Sequence, residues 1–255
     1  MSVLTLDIER ATIRPGIIAP NEDGVYKIIV GGLNIYSPNG FYYKYTEKTH
    51  KALTSGAFKI KLEAGKVKSE DNHPNFSEIP TDAGKVARML KIDDDNAVGV
   101  IVDVEVIKSD KLDPIFGEPV YYIVASIKPE GPKANVLIKL LEDPNAELCF
   151  SVRSFSDKYE KNGIMVKEQK LFVTWDRVTN PGHYVAKKSY TNANTLDIES
   201  VDEYVFTELE IKNIRTELLD KLDTEIDVES INELTTLLDV FTICDNGENC
   251  IYHNL

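Results

Sequence analysis

Three short strings hold residue types that could do nucleophilic or acid–base chemistry. In Leu148-Cys-Phe-Ser-Val-Arg-Ser154, strand alternation puts Cys149, Ser151 and Arg153 on one face. A hydroxyl two residues before a guanidinium could be a nucleophile beside an anion-stabilising group. An ordinary solvated strand face has the same pattern. His73 stands in Ser-Glu-Asp-Asn-His-Pro, a polar loop stiffened by Pro74, where it is either a base or an exposed bystander. Asp176 follows Leu171-Phe-Val-Thr-Trp175 on a later strand, 25 residues beyond Ser151. An acid there could orient a histidine and stabilise its imidazolium, or close a strand-end turn. Spacing alone does not join the three into a triad. The chain has no P-loop, dinucleotide fingerprint, EF-hand, paired-histidine zinc motif or CxxC, so neither cofactor nor metal is expected.

The elements that must position these residues are mostly strands. Val25–Val30, Val98–Ile107 and Val120–Ile127 are β-branched runs, the last two flanking a Pro/Gly turn at 113–117, which predicts a long antiparallel hairpin. Lys44–Leu53 and Asp82–Leu90 read as short helices between strands, and Glu63–Pro80 as a polar loop. A helix is expected after Pro132, with Val136, Leu137, Leu140 and Leu141 at helical spacing and a stop at Asp143-Pro144. The apolar strand Glu147–Arg153 follows directly. Two further strands, near Ile164–Val166 and Lys170–Arg177, join it through a polar turn at 157–163, and Asn180-Pro-Gly182 closes the body.

Composition bounds the class. The chain has 255 residues, 42% of them hydrophobic and 9% aromatic, which is the profile of a globular protein. No apolar run is long enough to span a membrane, and the start lacks the basic and apolar regions of a signal peptide. Three cysteines, Cys149, Cys244 and Cys250, fit a reduced, cytosol-like compartment. The net charge of −13 argues against nucleic acid as a partner. That charge is not spread evenly: residues 196–255 carry 16 acidic and 3 basic side chains, while residues 1–195 hold 26 of each sign. Within the acidic segment, Leu196-Asp-Ile-Glu-Ser-Val-Asp-Glu203 and Ile226-Asp-Val-Glu-Ser-Ile-Asn-Glu233 repeat at an offset of 30. Each contains Ser-x-x-Glu, a capping-box signature, and predicts an acidic amphipathic helix.

The succession Asn72-His-Pro74, an apolar strand, a helix leading into Phe-Ser-Val-Arg153, then Leu-Phe-Val-Thr-Trp-Asp176 and Pro181 resembles the prohead core proteases of tailed phages. These are serine proteases similar in fold to herpesvirus assemblin. Ser37-Pro-Asn-Gly-Phe-Tyr-Tyr43 is similar to an Asn/Tyr-containing segment near the start of the family pattern, and the resemblance covers roughly residues 25–185. It implies Ser151 as nucleophile, His73 as general base, Asp176 in the third, orienting position, and Arg153 in support of the oxyanion site. Two departures stand out. Lys-Ser-Glu-Asp-Asn precedes His73 where the family has Gly-Glu-leu. The nucleophile motif, Ser-Ser-Arg-Gly in the family, reads Ser-Val-Arg-Ser here, with Ser154 in place of the glycine.

The resemblance further implies cleavage after Glu in short apolar-x-Glu contexts, of scaffold or core and major capsid proteins and of the enzyme itself. Leu6-Asp-Ile-Glu9, Leu196-Asp-Ile-Glu199 and Ile226-Asp-Val-Glu229 have that form, making Glu9, Glu199 and Glu229 candidate self-cleavage positions. The tail copies also read as plain leads into capped helices. The expected fold is α+β: a strand-rich, partly closed antiparallel β-barrel surrounded by helices, assemblin-like, with C-terminal acidic helices. The expected organisation is a protease body over 1–190, its core at about 25–185, and an acidic helical segment over 191–255 that self-processing could remove. Action inside the prohead, in the host cytoplasm, with no membrane partner and with homo-oligomerisation left open, completes the expectation. The competing reading is a catalytically weak or inactive virion or scaffold component that keeps the protease fold.

Overall fold

Each long β-branched run of the sequence becomes a strand, and the strands sort into two four-stranded sheets. The computed structural model describes residues 16–191. The first sheet has the order β1-β6-β5-β4, built from β1 (Tyr26–Leu33), β4 (Lys68–Glu70), β5 (Ala97–Leu112) and β6 (Pro119–Pro129), antiparallel throughout. The second runs β2-β3-β8-β7, from β2 (Ile35–Tyr36), β3 (Phe41–Tyr43), β7 (Cys149–Lys161) and β8 (Ile164–Val178). Here β3 lies parallel to β8, and the other pairings are antiparallel. Four helices accompany them: α1 (Glu47–Thr54), α2 (Gly56–Glu63), α3 (Asp82–Leu90) and α4 (Ala134–Glu142).

The strand-rich α+β class expected from the sequence is what the chain adopts, but the sheets do not close into a barrel. They pack face to face around Phe58, Phe150, Phe172 and Trp175, with Ile28, Val30, Ile101 and Ile123 from the first sheet. Gly31 on β1 lets them approach: a Cβ there would lie 3.3 Å from Trp175 Nε1. The acidic C-terminal helices and Glu9, Glu199 and Glu229 lie outside the described residues. Among the described residues no helix is long and apolar enough to cross a membrane.

Two elements bear directly on the site. The first is the β7–β8 hairpin. Its strands run unbroken into a two-residue turn, Asn162-Gly163, with φ of 54° and 77°. Positive φ at both central residues is the type I′ geometry whose twist matches the flanking strands. The two strands expected at 164–166 and 170–177 are therefore one. The second is β4, inside the segment read as a polar loop. It pairs with β5, and the next residue, Asp71, bridges to Arg177 on β8. The end of β4 thus touches both sheets. Thr174 Oγ1 donates to the Lys68 carbonyl at 2.7 Å, fastening the contact.

Candidate active site

The hairpin register sets the geometry. Ser151 on β7 is directly opposite Asp176 on β8, and Cys149 and Arg153 flank Ser151 on the same face. Cross-strand partners in an antiparallel pair have Cβ atoms only about 5 Å apart. Ser151 is 6% exposed and Asp176 is fully buried. A buried carboxylate needs donors on both oxygens. Asp176 Oδ1 accepts from Arg153 Nη2 at 2.7 Å and from the Glu70 backbone N–H at 3.3 Å. Its Oδ2 accepts from Arg153 Nε at 3.0 Å and meets His73 Nδ1 at 2.8 Å.

His73 arrives from the other sheet. Asn72 just before it takes a left-handed φ of 70°, and its N–H donates to the Arg177 carbonyl at 2.6 Å. Asp71 forms an ion pair with the Arg177 side chain and a looser one, 3.4 Å, with Lys133. The loop is therefore pinned to β8 immediately beside Asp176. The imidazole remains 29% exposed while its carboxylate partner is dry. With Nδ1 turned to Asp176, Nε2 is the nitrogen left to exchange protons. Among the described residues no hydrogen bond joins Ser151 Oγ to the ring; His73 contacts the carboxylate of the residue that faces Ser151 across the hairpin. Such bonds commonly tighten only when substrate binds.

Arg153, for which the resemblance implies support of the oxyanion site, lies between the two buried carboxylates. Its guanidinium is 1% exposed, and its five N–H groups are spent on Asp176 (Nε and Nη2), Glu70 (Nη2, 2.9 Å) and the carbonyls of Met89 and Lys91 (Nη1). No donor is left for a substrate oxyanion. The alternation that puts Arg153 on the face of Ser151 also aims it past the serine, at the carboxylates behind.

Sequence reasoning missed two residues here. Glu70, the last residue of β4, is fully buried. Its carboxylate accepts a forked pair of bonds from Arg88 at 3.0 and 2.6 Å, one from Arg153, and one from the Asp93 N–H at 3.0 Å. Burial pushes its pKa up, but the Arg88 bond and the Arg153 charge outweigh burial and hold it at about 2. Nothing in Lys-Ser-Glu marks a buried strand, since β4 has no apolar alternation. The other is Gly182, from the Asn-Pro-Gly that ends the body. A Cβ there would stand 2.5 Å from Ser151 Oγ and 3.2 Å from Ser151 Cβ, so a larger residue would displace the serine hydroxyl from this position.

The neighbours of the face are chemically distinct. Cys149 is buried, and burial pushes its thiol up to about 12, with the Glu147 charge adding to the shift, so it is inert at neutral pH. Lys187 pairs with Cys149 across an antiparallel bridge. The flanking bonds, Phe150 N–H to the Ala186 carbonyl and Lys188 N–H to that of Leu148, make it the close kind of pair whose side chains lie together. Lys187 is 8% exposed, and its carbonyl accepts the Tyr190 N–H at 3.1 Å. Ser154 lies past a bulge, where its Oγ accepts from Gln169 Nε2 at 3.0 Å. His183 is buried against the Tyr43 ring and accepts the Gly32 N–H on Nδ1 at 3.3 Å; burial lowers its pKa to about 4. No group of His, Cys, Asp and Glu suited to a metal ion occurs among the described residues.

A serine opposite an aspartate on one hairpin, with a histidine brought to that aspartate from the facing sheet, assembles the three residue types that hydrolytic acyl transfer uses. The chain belongs to the Peptidase S80 family, whose sequence model matches residues 7–238. It is similar to a capsid maturation protease of Pseudomonas phage phiKZ, 25% identical over 190 residues, which are 73% of this chain and 68% of that relative. No solved structure matches it. The resemblance to phage prohead proteases drawn from the residues is thus shown by family and relative alike.

Proposed function

We propose that this protein is a serine endopeptidase of phage head maturation, with Ser151 as nucleophile, His73 as general base and Asp176 as the orienting acid. The observation that carries the reading is the 2.8 Å contact of His73 Nδ1 with the carboxylate directly opposite Ser151. In the proposed reaction Ser151 Oγ attacks a substrate carbonyl carbon as His73 Nε2 takes its proton. The tetrahedral intermediate collapses when the imidazolium returns that proton to the leaving amine, and water then hydrolyses the acyl-enzyme by the same route. Asp176 stays ionised and steadies the imidazolium. With the Arg153 donors committed to Asp176, Glu70 and two carbonyls, backbone N–H groups are left to bind the oxyanion, and Arg153 positions the acid.

The substrates proposed are scaffold or core proteins, the major capsid protein and the enzyme itself, cut after Glu within the prohead. Lys187 supports the acidic preference. Its cationic side chain, paired across the bridge with the Cys149 that shares the face of Ser151, has the sign that attracts an acidic substrate side chain.

A fluorophosphonate probe and a scaffold-derived substrate test the reading together. The wild-type chain labels at Ser151 and cleaves; Ser151→Ala does neither. Cleavage that survives in Ser151→Ala sinks the assignment. Mass spectrometry of the active enzyme is expected to find new ends at Glu9, Glu199 or Glu229, and ends at none of them would remove the self-processing part.

A further inference from the structure

Behind His73 the charged groups form a buried row: Arg88 of α3, Glu70 of β4, Arg153 of β7 and Asp176 of β8, each bonded to the next. Glu70, Arg153 and Asp176 are at most 1% exposed, and the Arg88 side chain is 22% exposed. The signs alternate, and the exposed end of the row is the His73 imidazole.

Arg153 meets Asp176 side-on, Nε to one oxygen and Nη2 to the other. Alone in a dry site, such a pair would look nearly neutral to a third group, and Asp176 would give His73 little help. Glu70 changes this. It takes Arg153 Nη2 from the far side, donates its own N–H to Asp176 Oδ1, and is itself balanced by the Arg88 fork. We infer that Glu70 is a positioning residue for the His73–Asp176 pair: its carboxylate takes up the outer edge of the Arg153 guanidinium, leaving Asp176 to face His73 with its charge intact. The inference deepens the proposed protease reading and rests on it for its link to catalysis, but the electrostatic coupling can be read without turnover.

A merely structural network and a charge-tuning one differ in one respect. With Glu70 made neutral, the row behind His73 carries two cations and one anion, and an imidazolium is disfavoured. With Arg88 made neutral, it carries two anions and one cation, and an imidazolium is favoured. The two changes must therefore move His73 in opposite directions. Other charges near the ring, the Asp71–Arg177 pair and Lys133, are the same in both variants, as are the Asp93 N–H and the Asn96 amide on Glu70.

The test is an NMR titration of His73 in the full chain, in a Ser151→Ala background that prevents self-digestion, for Glu70→Gln and Arg88→Gln. The midpoint is expected to fall in Glu70→Gln and to rise in Arg88→Gln, each by about half a pH unit or more, from one unit charge a few ångströms behind the acid. With Ser151 restored, the acid limb of kcat/KM is expected to move in the same two directions. Folded variants whose midpoints both stay at the wild-type position overturn the inference. If Glu70→Gln does not fold, Arg88→Gln decides alone, since its side chain reaches the surface, and an unmoved or lowered midpoint there overturns it. Should wild-type cleavage prove independent of Ser151, the titration still reads the coupling, and the two failures remain distinct.

Discussion

Gly182→Ala separates the nucleophile from the fold. The new methyl carbon would stand 2.5 Å from Ser151 Oγ and 3.2 Å from Ser151 Cβ, against ordinary contacts of 3.4–4 Å. The closest atom is the far end of a short side chain, so the cheapest relief is rotation of the hydroxyl out of its well. An off-rotamer torsion costs about 0.5–1.5 kcal/mol. The backbone contributes no strain, because Gly182 is not among the residues at positive φ. The expected loss of stability is thus about 1 kcal/mol, a shift of roughly 2–4 °C in Tm for a chain of this size. The catalytic loss is expected to be far larger, since misplacing a reacting atom by about 1 Å can cost on the order of 100-fold. Thermal melts together with fluorophosphonate labelling rates measure both quantities. Labelling within twofold of wild type in a folded variant would mean that Ser151 Oγ does not react from this position. A Tm loss beyond about 10 °C would mean instead that the backbone, not the hydroxyl, absorbs the collision.

Two further outcomes follow from the same contacts. Asp176→Asn is expected to lower kcat by on the order of 10⁴-fold, through loss of the charge and of the acceptor for His73 Nδ1; a fall of less than tenfold, measured on the scaffold substrate, would remove Asp176 from the mechanism. His183 binds its proton less readily when folded, about 4 against an ordinary 6.5, so its share of stability is full above the unfolded value and is lost as pH falls from there through about 4. Urea melts over that window should show a shallower acid loss in His183→Gln, and an unchanged slope would show that the buried ring is not what titrates.

The sequence carries some of this structure openly and hides the rest for physical reasons. α3 spans the residues expected, Asp82–Leu90, and is capped by Thr81, whose hydroxyl accepts the Gly84 N–H at 3.1 Å. The long β5–β6 hairpin is legible because both strands are β-branched and its turn is marked by Asp113, whose carboxylate accepts three backbone N–H groups. α2 is not legible, because Ser55-Gly56 interrupts it from α1 and the helix has little amphipathic contrast. β4 is hidden because it is held by Glu70's ionic bonds and by its pairing with β5, neither of which leaves an apolar signature in its own residues. Of the site, Ser151, His73 and Asp176 could be named from motif order, and the structure brings them to one place. The partners of Arg153 could not be named, since they depend on which sheet β4 reaches.

The hairpin has a consequence for when this chemistry can begin. Ser151 and Asp176 share one continuous stretch closed by a two-residue turn, so they can meet as soon as that stretch has been made. The place of the histidine beside them depends on long-range contacts, the pairing of β4 with β5 and the bridge from Asp71 to Arg177. On the proposed reading, a half-folded chain holds an alcohol and an acid but no base. On the same reading, docking of the two sheets is the step that supplies the base.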